Sequence, residues 1–234
     1  MRTLVATDFD GTIAAIRTDP ASVEIDATAL ELLREVEDDP DFTIAVMSGR
    51  SLDDLTMRTS AIRCWRAGSH GLEIANPSLT ILREPLKILP AFDSRLESEL
   101  LTAGLRIERK RFGVALHWRE VVVDAEAPAI RSFADWATGN GLKLTHGRKV
   151  LEASIAGEGK REALQFIKTQ TRVDRLIYAG DDLTDFEALE YVAESGGVAI
   201  LAVNPEREER PAGVFRPVSS ISELVAVIRK ELRN

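Results

Sequence analysis

The chain has 234 residues, 44% hydrophobic and 29% charged, with 38 Asp and Glu against 30 Lys and Arg for a net charge of −8. That length and composition suit a packed core in one large domain or two unequal ones, and the acidic balance argues against nucleic acid or an anionic membrane as the main partner, since both reward an excess of Lys and Arg. Cys64 is the single cysteine, which excludes an internal disulfide and argues against a cysteine zinc site; no apolar run approaches the ~18 residues of a membrane span, the N-terminus turns acidic by Asp8, and the expected compartment is the cytoplasm.

The first apolar run, Leu4-Val5-Ala6, lacks alternation, as a strand buried on both faces does. It leads into Asp8-Phe9-Asp10-Gly11-Thr12, which sets two carboxylates two residues apart at the strand's carboxyl end, just before a glycine turn. Ligands of open α/β sheets bind at that edge. Crowded carboxylates repel unless a cation or a proton intervenes; the plainer alternative is a capped turn with solvated Asp side chains. A helix follows, with Asp26 as N-cap before Leu30, Leu33 and Val36. The next strand, Thr43 to Met47, ends in Ser48-Gly49-Arg50. Arg50 there either reaches a ligand or braces the turn at Asp53 and Asp54. Cys64 and Trp65 read as packing residues.

The middle of the chain changes period. Phe112, Val114, Leu116 and Trp118 alternate with Ala115, His117 and Arg119, the pattern of an antiparallel strand with one face free. Leu105 to Lys110, Val121 to Val123 and Lys149 to Ile155 are further strand candidates. Pro128 opens a helix carrying Ile130, Phe133 and Trp136, and His146 before Gly147 reads as a hairpin-turn residue. A small α+β domain at about 104–156 therefore sits inside a discontinuous domain, 1–103 and 157–234, with Gly104 and Gly157 to Gly159 as hinges.

Beyond it, Lys160 to Gln170 and Phe186 to Glu194 are helical, and Leu176 to Ala179 and Val198 to Leu201 are apolar strands. Ser220 and Glu223, in capping-box spacing, open a last helix with Leu224, Val227, Ile228 and Leu232 on one side. Strand and helix alternate, so the frame is α/β. The strand at Leu176 ends in Gly180-Asp181-Asp182-Leu183-Thr184-Asp185, making three strands that deliver polar clusters to one sheet edge. Oxygen ligands without a His/Cys cluster favour a hard cation, Mg²⁺ in particular when phosphate completes its shell. Gly159-Lys160 adds an ammonium and helix-start amides for an anion. Together these residues describe a phosphoryl-transfer site.

The order Asp8-x-Asp10-Gly11-Thr12, Ser48, Lys160, Gly180-Asp181-Asp182 resembles the haloacid dehalogenase superfamily of phosphatases across nearly the whole chain. The resemblance implies a Rossmann-like parallel-sheet core with an inserted α+β cap. It implies that Asp8 is a nucleophile forming an aspartyl-phosphate and that Asp10 is the general acid and then base. Ser48 would hydrogen-bond a phosphoryl oxygen, while Lys160 would neutralise charge and orient Asp8. Mg²⁺ would be held by Asp8, the Asp10 carbonyl and Asp181, with Asp182 and Asp185 in support.

Within that superfamily the chain is similar to trehalose-6-phosphate phosphatases at Ser48-Gly49-Arg50, Gly68-Ser69-His70-Gly71 with Glu73, Glu108-x-Lys110, His117-Trp118-Arg119, Lys149-x-x-Glu152 and Gly180-Asp181-Asp182-x-Thr184-Asp185. By this resemblance Gly49, Arg50, Ser69 and His70 line the substrate site. Glu108, Lys110, His117, Arg119, Lys149 and Glu152 hold the sugar. A functional link to a trehalose-phosphate synthase is implied as well. Two departures stand out: Glu152-Ala153-Ser154-Ile155 replaces the family's Glu-x-Arg-Pro, and Phe186 replaces the Glu that follows Thr-Asp. The first removes a sugar or phosphate contact, so trehalose 6-phosphate competes with mannosylglycerate, glucosylglycerol or sucrose phosphates as substrate. From another class, a non-catalytic sugar-phosphate-binding regulator has no use for Asp8, Asp10, Lys160 and Asp181 together. His70 as a turn residue, His117 in a cross-strand pair, and Glu108, Lys110 and Arg119 as a solvated sheet face are the plainer alternatives.

Overall fold

The structure, a computed structural model, describes residues 1–17, 19–83, 90–110, 112–118, 127–147, 149–155, 159–204 and 209–233. Two compact units divide the chain: Met1–Glu84 with Glu158–Asn234, and Pro85–Gly157. The first begins with β1 (Thr3–Asp8), α1 (Ala27–Glu37), β2 (Phe42–Met47), α2 (Leu52–Arg58), β3 (Trp65–Gly68), β4 (Glu73–Ala75) and β5 (Ile81–Arg83). The second holds α3 (Ser94–Thr102), β6 (Arg106–Lys110), β7 (Gly113–His117), α4 (Pro128–Gly139), β8 (Leu142–Gly147) and β9 (Val150–Ile155). The first unit then resumes with α5 (Lys160–Thr171), β10 (Arg175–Gly180), α6 (Leu183–Glu194), β11 (Val198–Ala202), β12 (Arg216–Val218) and α7 (Ile221–Leu232).

The first unit is built on one eight-stranded sheet, ordered β12-β11-β10-β1-β2-β3-β4-β5. Its strands are parallel from β12 to β3, with β4 and β5 added antiparallel. Side chains along a strand point alternately to the two faces, so a strand covered on both sides carries an unbroken apolar run, as β1 does at Leu4-Val5-Ala6. Val5, Ile44, Ile177 and Ile200 pack on one face against Leu32, Leu33 and Val36 of α1 and Leu224 and Ile228 of α7. Leu4, Ala6, Met47 and Tyr178 pack on the other against Leu164 and Ile167 of α5 and Leu189 and Val192 of α6. Local signals set the helix starts. Asp26 accepts from Thr28 N at 2.8 Å ahead of α1, Glu162 reaches back to Gly159 N at 2.8 Å ahead of α5, and Ser220 accepts from Glu223 N at 3.2 Å ahead of α7.

The second unit is a four-stranded antiparallel sheet, β6-β7-β9-β8. Leu116, Val114 and Leu151 face Leu96 and Leu100 of α3 and Ile130 and Phe133 of α4. Phe92 meets Trp136 edge to face at 4.9 Å. The sequence alone leaves α3 with the larger domain by starting the insert at 104. In the structure α3 belongs to the second unit, because Leu96 and Leu100, one helical turn apart, find their apolar partners on α4 and this sheet. His146 is a strand residue opposite Leu151 rather than a turn residue. The strand expected at Val121 to Val123 lies outside the described residues, as does Arg119. Among the described residues no helix is long and apolar enough to cross a membrane.

Candidate active site

β10, β1 and β2 are neighbours in the sheet, so Gly180, Asp8 and Ser48 arrive at one edge, with Asp8 level with Met47 in the register. Asp8 closes β1 and is 4% exposed. Its Oδ1 accepts from Lys160 Nζ at 2.5 Å and its Oδ2 lies 3.4 Å from Thr12 Oγ1. Lys160, first residue of α5 and buried, also donates to Asp185 Oδ1 at 2.7 Å. The buried Tyr178 hydroxyl donates to that same oxygen, and Asp185 Oδ2 takes the Asp182 amide at 3.1 Å, closing a capping box at the start of α6. Burial pushes the Asp8 carboxyl well above the ordinary range; Lys160 opposes the shift, and Asp185 and Asp181 add to it. For Lys160 burial works against charge, but Asp185 and Asp8 outweigh it and hold the ammonium above its usual value. Burial and then Asp185 and Asp8 push the Tyr178 hydroxyl up, so it stays a donor.

Asp8, Asp181 and Asp185 each place a carboxylate oxygen within 4.8 Å of the others. Lys160 is the buried cation paired with two of them, Asp8 and Asp185, so three buried carboxyl groups stand against one ammonium in this cluster. An oxygen-only donor set of this kind fits a hard divalent ion such as Mg²⁺. The turn after Asp10 lets the Asp181 carboxyl approach: Gly11 has φ +86°, and a Cβ there would lie 2.4 Å from Asp181 Oδ2. Of the expected ligands, Asp8 and Asp181 are in the cluster. Asp185, expected in support, joins them, and Asp182 is the N-cap of α6, accepting from Leu183 N at 2.8 Å.

The Asp10 side chain turns away from the cluster to Arg50, which holds it by Nε–Oδ2 at 2.8 Å and Nη2–Oδ1 at 2.6 Å. Ser48 Oγ stands 3.4 Å from Asp10 Oδ2 and accepts from the Arg50 amide at 3.1 Å. Arg50 therefore combines a contact to the site with the brace foreseen as its alternative, since its Nη1 donates to Asp54 Oδ2 at 2.9 Å. The turn at Ser69–Gly71 is bonded to this loop through Ser69 N to Arg50 O at 2.6 Å and His70 N to Ser48 O at 2.9 Å. Ser69 and His70 both have positive φ, 51° and 58°. The His70 ring covers Gly49 so closely that a Cβ there would lie 2.5 Å from its Cε1. Ser69 Oγ donates to the buried Glu73 at 3.0 Å. Four substrate-site candidates, Gly49, Arg50, Ser69 and His70, thus lie beside Ser48. Thr12 has no signal in the sequence beyond its place in the Asp-x-Asp-Gly-Thr motif, and Tyr178 lies inside an apolar run, where its hydroxyl is the one available signal.

In the second unit, Glu108, Lys110, His117 and Glu152 fall on the sheet face opposite α3 and α4. Lys110 Nζ meets Glu152 Oε2 at 2.5 Å and His117 Nε2 meets Glu108 Oε2 at 2.8 Å, around the small Ala115. The cross-strand alternative for His117 is therefore realised. Ser154 shares this face, between Gly113 and Lys143. Lys149 is exposed with φ 56°, and its carbonyl accepts from Trp118 N at 3.1 Å.

A family model described as trehalose-phosphatase matches residues 6–215. A trehalose-phosphate phosphatase of Mycobacterium marinum is 29% identical over 226 residues, covering 92% of this chain and 57% of that protein. The chain thus spans little more than half of that relative's length. Among solved structures, the C-terminal domain of the C. albicans trehalose-6-phosphate phosphatase superposes with a TM-score of 0.75 at 17% identity, covering 97% of this chain and 90% of the other. A phosphatase of the haloalkanoate (HAD) enzyme superfamily from Bacteroides thetaiotaomicron superposes with a TM-score of 0.69 at 15% identity, covering 98% and 95%. At these identities both show the fold.

Proposed function

The chain belongs to the trehalose-phosphatase family, and from that premise we propose that it hydrolyses a sugar phosphate monoester, trehalose 6-phosphate plus water giving trehalose and inorganic phosphate. The observation that carries this reading is the buried Asp8 carboxylate, held by Lys160 and Thr12 at the tip of a central strand, with a second carboxyl two residues on. Asp8 attacks phosphorus in line, and its carboxylate oxygen forms the new P–O bond as the sugar oxygen departs. Asp10 gives that oxygen its proton, then takes one from the water that attacks the aspartyl-phosphate, so that phosphate leaves and Asp8 is restored. Lys160 orients Asp8 and offsets its charge, and Ser48 donates to a phosphoryl oxygen. Mg²⁺ held by Asp8, Asp181 and Asp185 together with the Asp10 carbonyl would neutralise charge on the phosphoryl group. By the family resemblance, Glu108, Lys110, His117, Arg119, Lys149 and Glu152 are the candidates to bind the sugar hydroxyls, and Gly49, Ser69 and His70 are the candidates beside Ser48.

Phosphate release from trehalose 6-phosphate in Mg²⁺ is the first test. Chelator and Asp8→Asn must each abolish it, and turnover by Asp8→Asn would refute the nucleophile. Ser154, in place of the family's arginine, supports a second reading in which another glycosyl phosphate is preferred. Comparing kcat/KM across mannosylglycerate, glucosylglycerol, sucrose and trehalose phosphates separates the two. The cytoplasm and a link to a trehalose-phosphate synthase remain parts of the same proposal.

A further inference from the structure

We propose that Arg50 is a positioning residue for the Asp10 carboxyl, held in place from behind by Asp54 and Arg58, rather than a contact to the sugar. The inference rests on the phosphatase reading and assigns a role within it. Asp10 sits beside the Gly11 turn with its side chain 37% exposed, a situation in which a lone carboxyl samples several rotamers. The guanidinium fork removes that freedom by binding both oxygens, which fixes the plane as well as the place of the carboxyl. Arg50 has little left for a ligand. Of its five N–H groups, two serve Asp10 and two serve Asp54 Oδ2 at 2.9 Å and Pro20 O at 3.2 Å. Its guanidinium also lies 5.5 Å from the ring centroid of Phe9, the buried residue between the two carboxylates.

The rear support is itself fixed. Asp54 Oδ2 also accepts from Arg58 Nε at 2.8 Å, and Arg58 donates on to the carbonyls of Val23 and of Ala21, the latter at 3.4 Å. The chain Asp10–Arg50–Asp54–Arg58 therefore runs from the reacting edge of the sheet to the Pro20–Val23 segment. Arg58 lies on α2, one turn from Asp54, so the helix sets the spacing of the brace. A misplacement of about 1 Å in a reacting group costs on the order of a hundredfold in rate. That is the error this brace prevents at the proton donor.

The test exploits the fact that a general acid matters most when the leaving oxygen is a poor leaving group. Values of kcat/KM are measured in Mg²⁺ for sugar-free phosphate monoesters running from p-nitrophenyl phosphate to simple alkyl phosphates, on wild type, Arg50→Ala, Asp54→Asn and Asp10→Asn. Arg50→Ala should lose roughly ten- to a hundredfold on alkyl esters and less than about threefold on p-nitrophenyl phosphate, approaching the steeper leaving-group dependence of Asp10→Asn. Asp54→Asn keeps the guanidinium and should move the dependence the same way by less, which preserves the test if Arg50→Ala folds poorly. Equal losses across the series, or an Arg50→Ala defect confined to KM for the sugar phosphate, would overturn the inference alone. Absence of wild-type turnover on every ester and on trehalose 6-phosphate, assayed alongside, would remove the phosphatase reading and the inference together.

Discussion

Replacing Lys160 with Met isolates the energetics of the buried cluster. Met fills the aliphatic stem but leaves Asp8 and Asp185, at 2.5 and 2.7 Å, facing no ammonium in a site where Lys160 itself is 2% exposed. Removing one partner of such a buried pair costs about 3–5 kcal/mol, a large share of the roughly 5–15 kcal/mol that holds a domain folded. Asp8→Asn alone should be neutral or stabilising, because burial, Asp185 and Asp181 already disfavour its charge. The double variant should recover roughly 1–3 kcal/mol relative to the sum of the two, since one orphaned carboxylate is gone. Hydrogen exchange of β1 and β10 amides in chelator reports opening of this unit separately from the insert. A loss below about 1 kcal/mol for Lys160→Met, or strict additivity, would refute the view that the lysine offsets a buried charge excess.

Gly11→Ala must place an L residue at φ +86° and push Asp181 aside; a cost of about 1–2 kcal/mol in the backbone and roughly tenfold weaker Mg²⁺ binding by calorimetry are expected. For Asp54, burial favours the protonated form, but Arg58 and Arg50 outweigh it and hold the carboxyl below its usual 3.8. Its stabilisation is therefore complete above that value and lost as pH falls through the lower folded one. The gap between wild type and Asp54→Asn in urea unfolding, roughly 1 kcal/mol near neutrality, should close only in that acid window. Burial pushes the Cys64 thiol up to about 11, so thiol reagents at neutral pH should label it only through unfolding, at a rate that Lys160→Met increases.

The strands carrying the site were readable because central parallel strands must be apolar on both faces, which is why Leu4 to Ala6 and Leu176 to Ala179 stood out. Asp26, Pro128 and Ser220 marked helix starts by capping chemistry that acts within a few residues. What lay beyond local pattern was which distant groups share an atom. Nothing in Leu176-Ile177-Tyr178-Ala179 tells that the Tyr178 hydroxyl meets Asp185. Nothing in Ser48-Gly49-Arg50 tells that the guanidinium takes both Asp10 oxygens rather than a ligand. The start of the insert was misplaced for a similar reason: α3 is amphipathic, and an amphipathic helix does not announce which core its Leu96 and Leu100 will join.

The position of β1 bears on how the protein is made. Its partner β2 begins at Phe42, but its other partner, β10, begins only at Arg175. On a translating ribosome the central strand therefore waits with one bare apolar edge, for on the order of ten seconds at ordinary elongation rates, while the insert is synthesised and folds as its own unit. Closing a loop of that length adds little equilibrium cost, because the entropy grows only with its logarithm, but such long-range pairing is slow. Yield in cells should accordingly depend on holdase chaperones during that interval, and the charge cluster at Asp8 can form only after Asp185 has emerged.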